Sequence, residues 1–339
     1  MKILVTGGTG YIGSHTVVEL QQEGFEVVII DNLSNSEKSV VDNISRITGK
    51  KPIFEQIDLT DREATFDCIK RHNDIKGVIH FAALKAVGES VEKPLEYYQN
   101  NLFSLINLLQ ALKENDLDNF VFSSSCTVYG QPDHLPVDET APRKQAESPY
   151  GNTKKMAEDI IEDTVMSSGL HAIALRYFNP IGAHETAFIG ELPIGIPNNL
   201  VPYITQTAIG IREFLRVFGN DYNTPDGTPI RDYIHVVDLA KAHVVAVNRL
   251  LKEKYKKDYE IFNLGTGNGF TVLEVIKAFE RSSGEKLNYQ IVERRPGDIE
   301  KVWADTKFAN DELAWKAEKS IDDMMSSAWK WELMLKNRK

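Results

Sequence analysis

A strand-like run at residues 3–6 leads directly into Gly7-Gly8-Thr9-Gly10-Tyr11-Ile12-Gly13. No other feature narrows the fold of this chain as much. Glycines at positions 7, 10 and 13 permit a tight turn, a close approach of backbone to ligand, and close helix–strand packing. A helix starting here would present unpaired N–H groups and a positive dipole end, which together suit a pyrophosphate. The spacing differs from the commoner G-x-G-x-x-G, and alone it would serve equally well as a simple turn. Two observations favour a ligand loop. A helix-like stretch follows it, and a second strand-like run at 26–30 ends in Asp31, 21 residues after Gly10. A carboxylate there can accept from both hydroxyls of an adenosine ribose and repels a 2′-phosphate, which points to NAD over NADP. Asp31-Asn32 alone also suits the start of a loop.

Strand-like runs at 3–6, 26–30, 53–57, 77–81, 119–123 and 172–176 alternate with helix-length stretches. In one of these Leu105, Leu108, Leu109 and Leu112 follow i, i+3, i+4, i+7 spacing. The alternation predicts an α/β fold, a doubly wound parallel sheet of Rossmann type with helices on both faces. From residue 179 to 230 the texture changes to loops, with Pro180, Pro193, Pro197, Pro202, Pro225 and Pro229. Order returns at 233–249 and 261–264. Thr271 and Glu274 then form a capping-box pair ahead of the apolar Val272, Val275, Ile276 and Phe279. The expected organisation is an NAD-binding domain over 1–180 and a smaller mixed α/β substrate domain over 181–339. A segment near 231–264 would return to pack on the first.

Two constellations carry chemistry. Ser123-Ser124-Ser125 closes the fifth strand-like run, and in a doubly wound sheet strand ends face the ligand crevice. Ser148-Pro149-Tyr150 opens a helix, with serine as N-cap and proline first. Tyr150 and Lys154 lie four apart on the face continued by Ala157 and Ile161, so both polar groups look inward. Such a pair is also an ordinary amphipathic pattern. A phenol has an ordinary pKa of about 10, and lowering it by about 3 units takes about 4 kcal/mol. A neighbouring ammonium and an oxidised nicotinamide ring would supply that field and make Tyr150 a general base near neutrality. Cys126 beside the serines reads as a buried structural thiol, since no histidine is near it in sequence.

Composition excludes other classes. With 39 Lys+Arg against 49 Asp+Glu, the net charge of −10 argues against nucleic-acid or membrane-surface binding. Two cysteines are too few for a disulfide framework, which suits a reducing, cytoplasmic setting. The short apolar run at the start is expected to be strand, neither signal nor membrane span, and Lys336, Arg338 and Lys339 a solvated tail. The eight histidines show no ligand-type spacing, and no bound metal is expected.

The segments GGTGYIGSHT, DNLSNS, HFAALKAVGESVEKPLEYYQNN, FSSSCTVYG, SPYGNTK, RYFNPIGAH, GIPNNL, FGNDYNTPDGTPIRDYIHV and RRPGD span nearly the whole chain. On them the sequence resembles the extended short-chain dehydrogenases/reductases, and among these the branch that epimerises nucleotide sugars at C4. The resemblance implies that NAD is held by Gly7, Gly10, Tyr11, Ile12, Gly13, Asp31, Asn32 and Ser36. Asp58, Leu59, Phe81, Lys85, Asn100 and Phe178 would complete that set. It implies catalysis by Ser125, Tyr150 and Lys154, and a UDP-hexose held by Asn179, Asn199, Leu200, Phe218, Arg231, Arg295 and Asp298. Read separately, Arg231 and Arg295 also fit surface ion pairs, and Asn199 a turn.

The implied reaction interconverts UDP-glucose and UDP-galactose, as in galactose metabolism. A 4-keto sugar would rotate in the site, with tightly bound NAD regenerated each cycle. Members of the family are commonly homodimers, which puts a seam on the Leu105–Leu112 helix and the Tyr150 helix. Where the family often carries a bulky tyrosine near the sugar 2-substituent, this chain has Val302, which implies use of N-acetylated UDP-hexoses too. The rivals are a nucleotide-sugar 4,6-dehydratase or decarboxylase and a non-catalytic NAD-binding protein. The dehydratases carry an Asp-Glu pair where this chain has Cys126-Thr127, and a sensor would not need Ser125, Tyr150 and Lys154.

Overall fold

In the computed structural model, which describes residues 1–295 and 298–337, the first strand β1 (Lys2–Thr6) is buried along nearly its whole length. Pro296 and Gly297 of the RRPGD segment, and Arg338 and Lys339 of the expected tail, lie outside the described residues. From β1 the chain runs through α1 (Tyr11–Gln22), β2 (Glu26–Asp31), α2 (Ser39–Thr48), β3 (Ile53–Gln56) and α3 (Arg62–Arg71). It continues as β4 (Ile75–His80), α4 (Val87–Glu92), α5 (Pro94–Glu114) and β5 (Asn119–Ser125). A short 3₁₀ turn (Cys126–Tyr129), α6 (Pro149–Ser168) and β6 (His171–Tyr177) follow. Next come β7 (Asn179–Ile181), α7 (Leu200–Ala208), β8 (Leu215–Phe218), β9 (Ile230–His235), α8 (Val236–Leu251) and β10 (Tyr259–Leu264). The remainder is β11 (Gly269–Thr271), α9 (Val272–Ser283), β12 (Tyr289–Val292), β13 (Lys301–Val302), α10 (Lys307–Leu313) and α11 (Ile321–Lys336).

The large sheet has seven strands in the order β10-β6-β5-β4-β1-β2-β3, and the pairings from β6 across to β3 are parallel. From β1 the order grows outward through β2 on one side and through β4 on the other. The strand order therefore reverses beside β1, where ligands of open α/β sheets bind. Leu4, Val28, Val78, Phe120 and Ala172 from the strands pack against Leu105, Leu108 and Leu112 of α5 and Ile161 of α6.

The chain divides into two compact units. One comprises Met1–Gly130, Pro142–Tyr177 and Ala240–Phe262; the other comprises Gln131–Ala141, Phe178–Leu239 and the chain from Asn263 on. The second unit has its own sheets: β11-β9-β13 with β7 on β9, and a parallel β12–β8 pair. Its core gathers Ile204 of α7, Val217 of β8, Tyr233 of β9, Phe279 of α9 and Met325 of α11.

Two expectations change in detail. Strand β5 extends two residues further than the β-branched pattern suggested, because Ser124 and Ser125 are held by ladder pairing to Arg176 and Tyr177. Backbone pairing overrides the modest strand preference of serine. The segment 179–230 is also more ordered than its prolines implied. Helix α7 forms because Val201 and Ile204 have a core to face, and Pro202 sits in a first turn whose N–H groups have no intrahelical partner.

Candidate active site

The glycine loop begins with Gly7 at φ +68°, its N–H bonded to Ile30 O at 2.7 Å. A Cβ on Gly13 would lie 2.2 Å from Gly7 O, so only glycine lets α1 start this close to the turn. Gly10 is the N-cap of α1 and offers no side-chain cap. No N-cap side chain therefore competes with an anion for the first N–H groups of the helix. Asp31 ends β2 beside this loop, almost fully buried, and accepts from Thr9 N, Leu33 N and Ser36 Oγ. Three bonds leave acceptor capacity on a carboxylate that has about four lone-pair positions.

Most of the other residues expected at the cofactor fall beside this loop or at neighbouring strand ends. Asn32 Nδ2 donates to Asp58 at 3.0 Å. Burial works against ionisation of Asp58, but donation from Thr60 and Asn32 outweighs it and holds the carboxyl below its ordinary range. The Lys85 ammonium lies 5.9 Å from the ring centre of Tyr11. Phe81 packs on the His243 ring at 4.6 Å. Ile12 is the second residue of α1, and Leu59 is buried in the sheet core. Asn100 donates to Asn101 Oδ1 at 2.9 Å. Phe178 is buried in the second unit.

Ser125, Tyr150 and Lys154 meet within the first unit. Ser148 Oγ caps α6 by accepting from Gly151 N, and Pro149 occupies the first turn, which fixes where Tyr150 projects. The Tyr150 phenol hydrogen-bonds the Ser125 hydroxyl, and Ser125 Oγ also accepts from Thr127 N. One turn on, Lys154 Nζ donates to the carbonyl of Ser123 at 2.7 Å and stands 4.8 Å over the Phe122 ring.

Burial raises the Tyr150 phenol above its ordinary value, and the Ser125 bond offsets only part of that rise. The field expected to lower this phenol joins Lys154 to an oxidised nicotinamide ring, and in the chain by itself burial dominates. Lys154 itself is lowered to about 8 by desolvation, against the pull of Glu158.

In the second unit the expected sugar-nucleotide residues form three groups, with Asn179 apart from them. Arg231 and Val302 are register partners on β9 and β13. Arg295 donates to Asp298 at 2.7 Å and stacks 5.6 Å from the Phe218 ring. Asn199 and Leu200 open α7, with Asn199 Nδ2 on Glu191 at 2.6 Å, and Asn179 pairs with Tyr233 between β7 and β9.

Sequence reasoning missed Asn101, whose amide joins the Leu84 backbone to Thr153 Oγ1 and so ties the Lys85 loop to α6. It also missed Glu158, although Glu158 extends the four-residue ladder of Tyr150 and Lys154. Cys126 is half-buried rather than buried, at the start of the 3₁₀ turn. Among the described residues, Glu55, Cys68 and His72 bring one metal-type donor each within 4.8 Å. The Glu55 oxygens already take His72 and Arg71, and burial pushes the Cys68 thiol up to about 11.

A sequence model of the GDP-mannose 4,6 dehydratase family matches residues 4–328. Its breadth covers the shared fold; the near relatives are narrower. The UDP-glucose 4-epimerase of Bacillus subtilis is 50% identical over 98% of this chain and 97% of its own.

This chain belongs to the UDP-glucose 4-epimerase family.

Solved epimerase structures agree with it over their whole length. That from Stenotrophomonas maltophila, with bound NAD and formylated UDP-arabinopyranose, is 49% identical with a TM-score of 0.96, covering 100% of both chains. That from Bifidobacterium longum, in complex with NAD+ and UDP, is 46% identical with a TM-score of 0.95, covering 99% of both. The epimerase assignment also fits the turn after Ser125, where Cys126 and Thr127 provide no carboxylate.

Proposed function

We propose that this chain interconverts UDP-glucose and UDP-galactose by reversible oxidation at the sugar C4, with NAD as a resident cofactor. The observation that carries this reading is the Ser125–Tyr150–Lys154 arrangement in the unit that also holds the glycine loop and Asp31. The α1 N-terminus, capped by a glycine, suits the pyrophosphate, and Asp31 the adenosine ribose. Asn32, Ser36, Asp58, Leu59, Phe81, Lys85, Asn100 and Phe178 complete the cofactor set. NAD supplies a hydride acceptor at C4 and returns the hydride within the same turnover.

Tyr150 acts as the base that takes the 4-hydroxyl proton and later gives it back. Ser125 holds that proton path, and Lys154 keeps positive charge beneath it. Burial raises the phenol, so ionisation near neutrality needs cationic charge beyond Lys154, consistent with action only in the loaded enzyme. The sugar nucleotide is held by Asn179, Asn199, Leu200, Phe218, Arg231, Arg295 and Asp298. The planar guanidinium forks of the arginines suit a diphosphate. The first unit thus acts as cofactor domain and the second as substrate domain.

Val302 is small and buried beside Arg231, which supports acceptance of N-acetylated UDP-hexoses as well. Two copies are proposed to pair through α5 and α6, where Leu95, Phe103 and Met156 are exposed apolar side chains. A cytoplasmic setting is consistent with two free thiols, and among the described residues no helix is long and apolar enough to cross a membrane.

The test is to incubate purified protein with UDP-galactose, and separately with UDP-N-acetylgalactosamine, adding no NAD. The expected result is conversion of both to the C4 epimers. Tyr150→Phe should lower kcat by about 10²-fold or more with bound NAD retained. Val302→Tyr should lose the N-acetylhexosamine reaction selectively. No conversion by protein that carries NAD refutes the function; equal loss of both reactions in Val302→Tyr refutes the specificity role.

A further inference from the structure

Below Tyr150 and Lys154, the same face of α6 carries Glu158, fully buried, and one of its partners comes from the strand that ends in Ser125. Three successive serines of β5 meet three successive turns of α6. Ser125 bonds Tyr150, the Ser123 carbonyl accepts from Lys154, and Ser124 Oγ donates to Glu158 Oε1 at 2.5 Å. Arg176 of β6, only 2% exposed, forks onto the two Glu158 oxygens at 2.9 and 2.6 Å and donates to the Tyr129 hydroxyl at 2.9 Å. A buried ion pair is no efficient source of stability, since apolar residues of similar volume often do as well or better. What it does supply is a fixed negative charge one helical turn from Lys154.

We propose that Glu158, with Arg176 as its counter-charge, is a positioning residue for the epimerase reaction: it locks the serine strand to α6 and keeps Lys154 charged beneath Tyr150. The proposal rests on the assignment of Tyr150 and Lys154 made above. Around Lys154 are Tyr150 and Glu158 on its own helix and His80 from β4; Arg176 of β6 and Arg143 reach Glu158, and Tyr177 of β6 bonds Ser123. Of these, Glu158 is the anion that favours the ammonium. Desolvation lowers Lys154 to about 8, so the margin of protonation at neutral pH is small. Removing the Glu158 charge makes Lys154 lose its proton at lower pH, and the alkaline fall in rate moves down with it.

The experiment is kcat from pH 6 to 10 for the NAD-loaded wild type, Glu158→Gln and the double variant Glu158→Gln/Arg176→Gln. NAD content and thermal midpoint are measured on each. The double variant leaves no buried charge without its counter-charge and stands in for Glu158→Gln if that chain does not fold. The expected result is a falling limb displaced to lower pH in both. For a limb that moves from about pH 8 to about pH 7.5, the ratio of kcat at pH 7 to that at pH 9 should rise about 2.5-fold. A limb that stays in place, whatever happens to stability, overturns the proposal. Lys154→Met separates the two levels of the argument. Full kcat in Lys154→Met would remove the assignment on which the proposal rests. Lost kcat there with an unmoved limb in Glu158→Gln would overturn the proposal alone.

Discussion

Burial acts on Tyr150, Lys154 and His80 in one direction, toward the neutral form, and the site is shaped by what opposes it. His80 closes β4 with its Nδ1 2.7 Å from Thr6 Oγ1, between the rings of Phe120 and Phe122. Desolvation, helped by the charge on Lys154, lowers it to about 3 from an ordinary 6.5. Because the folded value lies below the unfolded one, His80 costs nothing above about pH 6.5. Below that the unfolded chain takes up a proton that the folded chain refuses, and stability falls down to about pH 3. The His80 share of the loss between pH 7 and pH 5 is about 2 kcal/mol. Urea unfolding at the two pH values should show a smaller drop by about that amount in His80→Gln; an equal drop in both chains would contradict the argument. The residues themselves were visible in sequence as types. How far burial moves them depends on neighbours far along the chain.

At the scale of elements, the start of α1 and the start of α6 were legible for local reasons. A glycine turn and a Ser-Pro cap depend on residues a few positions apart, and the structure shows both at the expected positions. The closeness of the α1 turn yields a test. Gly13→Ala would place a methyl 2.2 Å from Gly7 O and 2.9 Å from Gly8 Cα, both backbone atoms that cannot rotate away. The helix start must shift away from the pyrophosphate position. The expected outcome is protein that is purified with at least tenfold less NAD, read from the 260 nm absorbance released on denaturation. Wild-type NAD content would contradict the proposed role of the loop. By contrast, α7 was hidden among prolines, because its formation depends on a core supplied by β8, β9, α9 and α11.

For the whole molecule, the two units interleave along the chain, with 131–141 belonging to the second and 240–262 to the first. A return of a segment near 231–264 was expected from the sequence. Local pattern does not mark 131–141 as part of the second unit, however, since that depends on which distant strand the segment pairs with. The outer surface of the first unit bears on assembly. Leu95 is 81% exposed and Phe103 53% exposed on α5. The proposed homodimer should sediment at twice the chain mass at micromolar concentration, and Phe103→Asp should shift it to monomer. A wild-type chain that sediments as a monomer would end the proposal.

What the sequence determined by itself was the parallel α/β sheet, the loop at its first strand and the helical spacing of Tyr150 and Lys154, all of which follow from periodicity and turn chemistry over short distances. Only the tertiary structure decided that Lys154 faces the Ser123 carbonyl, that Glu158 and Arg176 lie buried beneath it, and that Arg231 and Val302 are neighbours across strands. Those are contacts between segments tens of residues apart, and they exist only once burial has removed water and forced each polar group to find a partner in the protein.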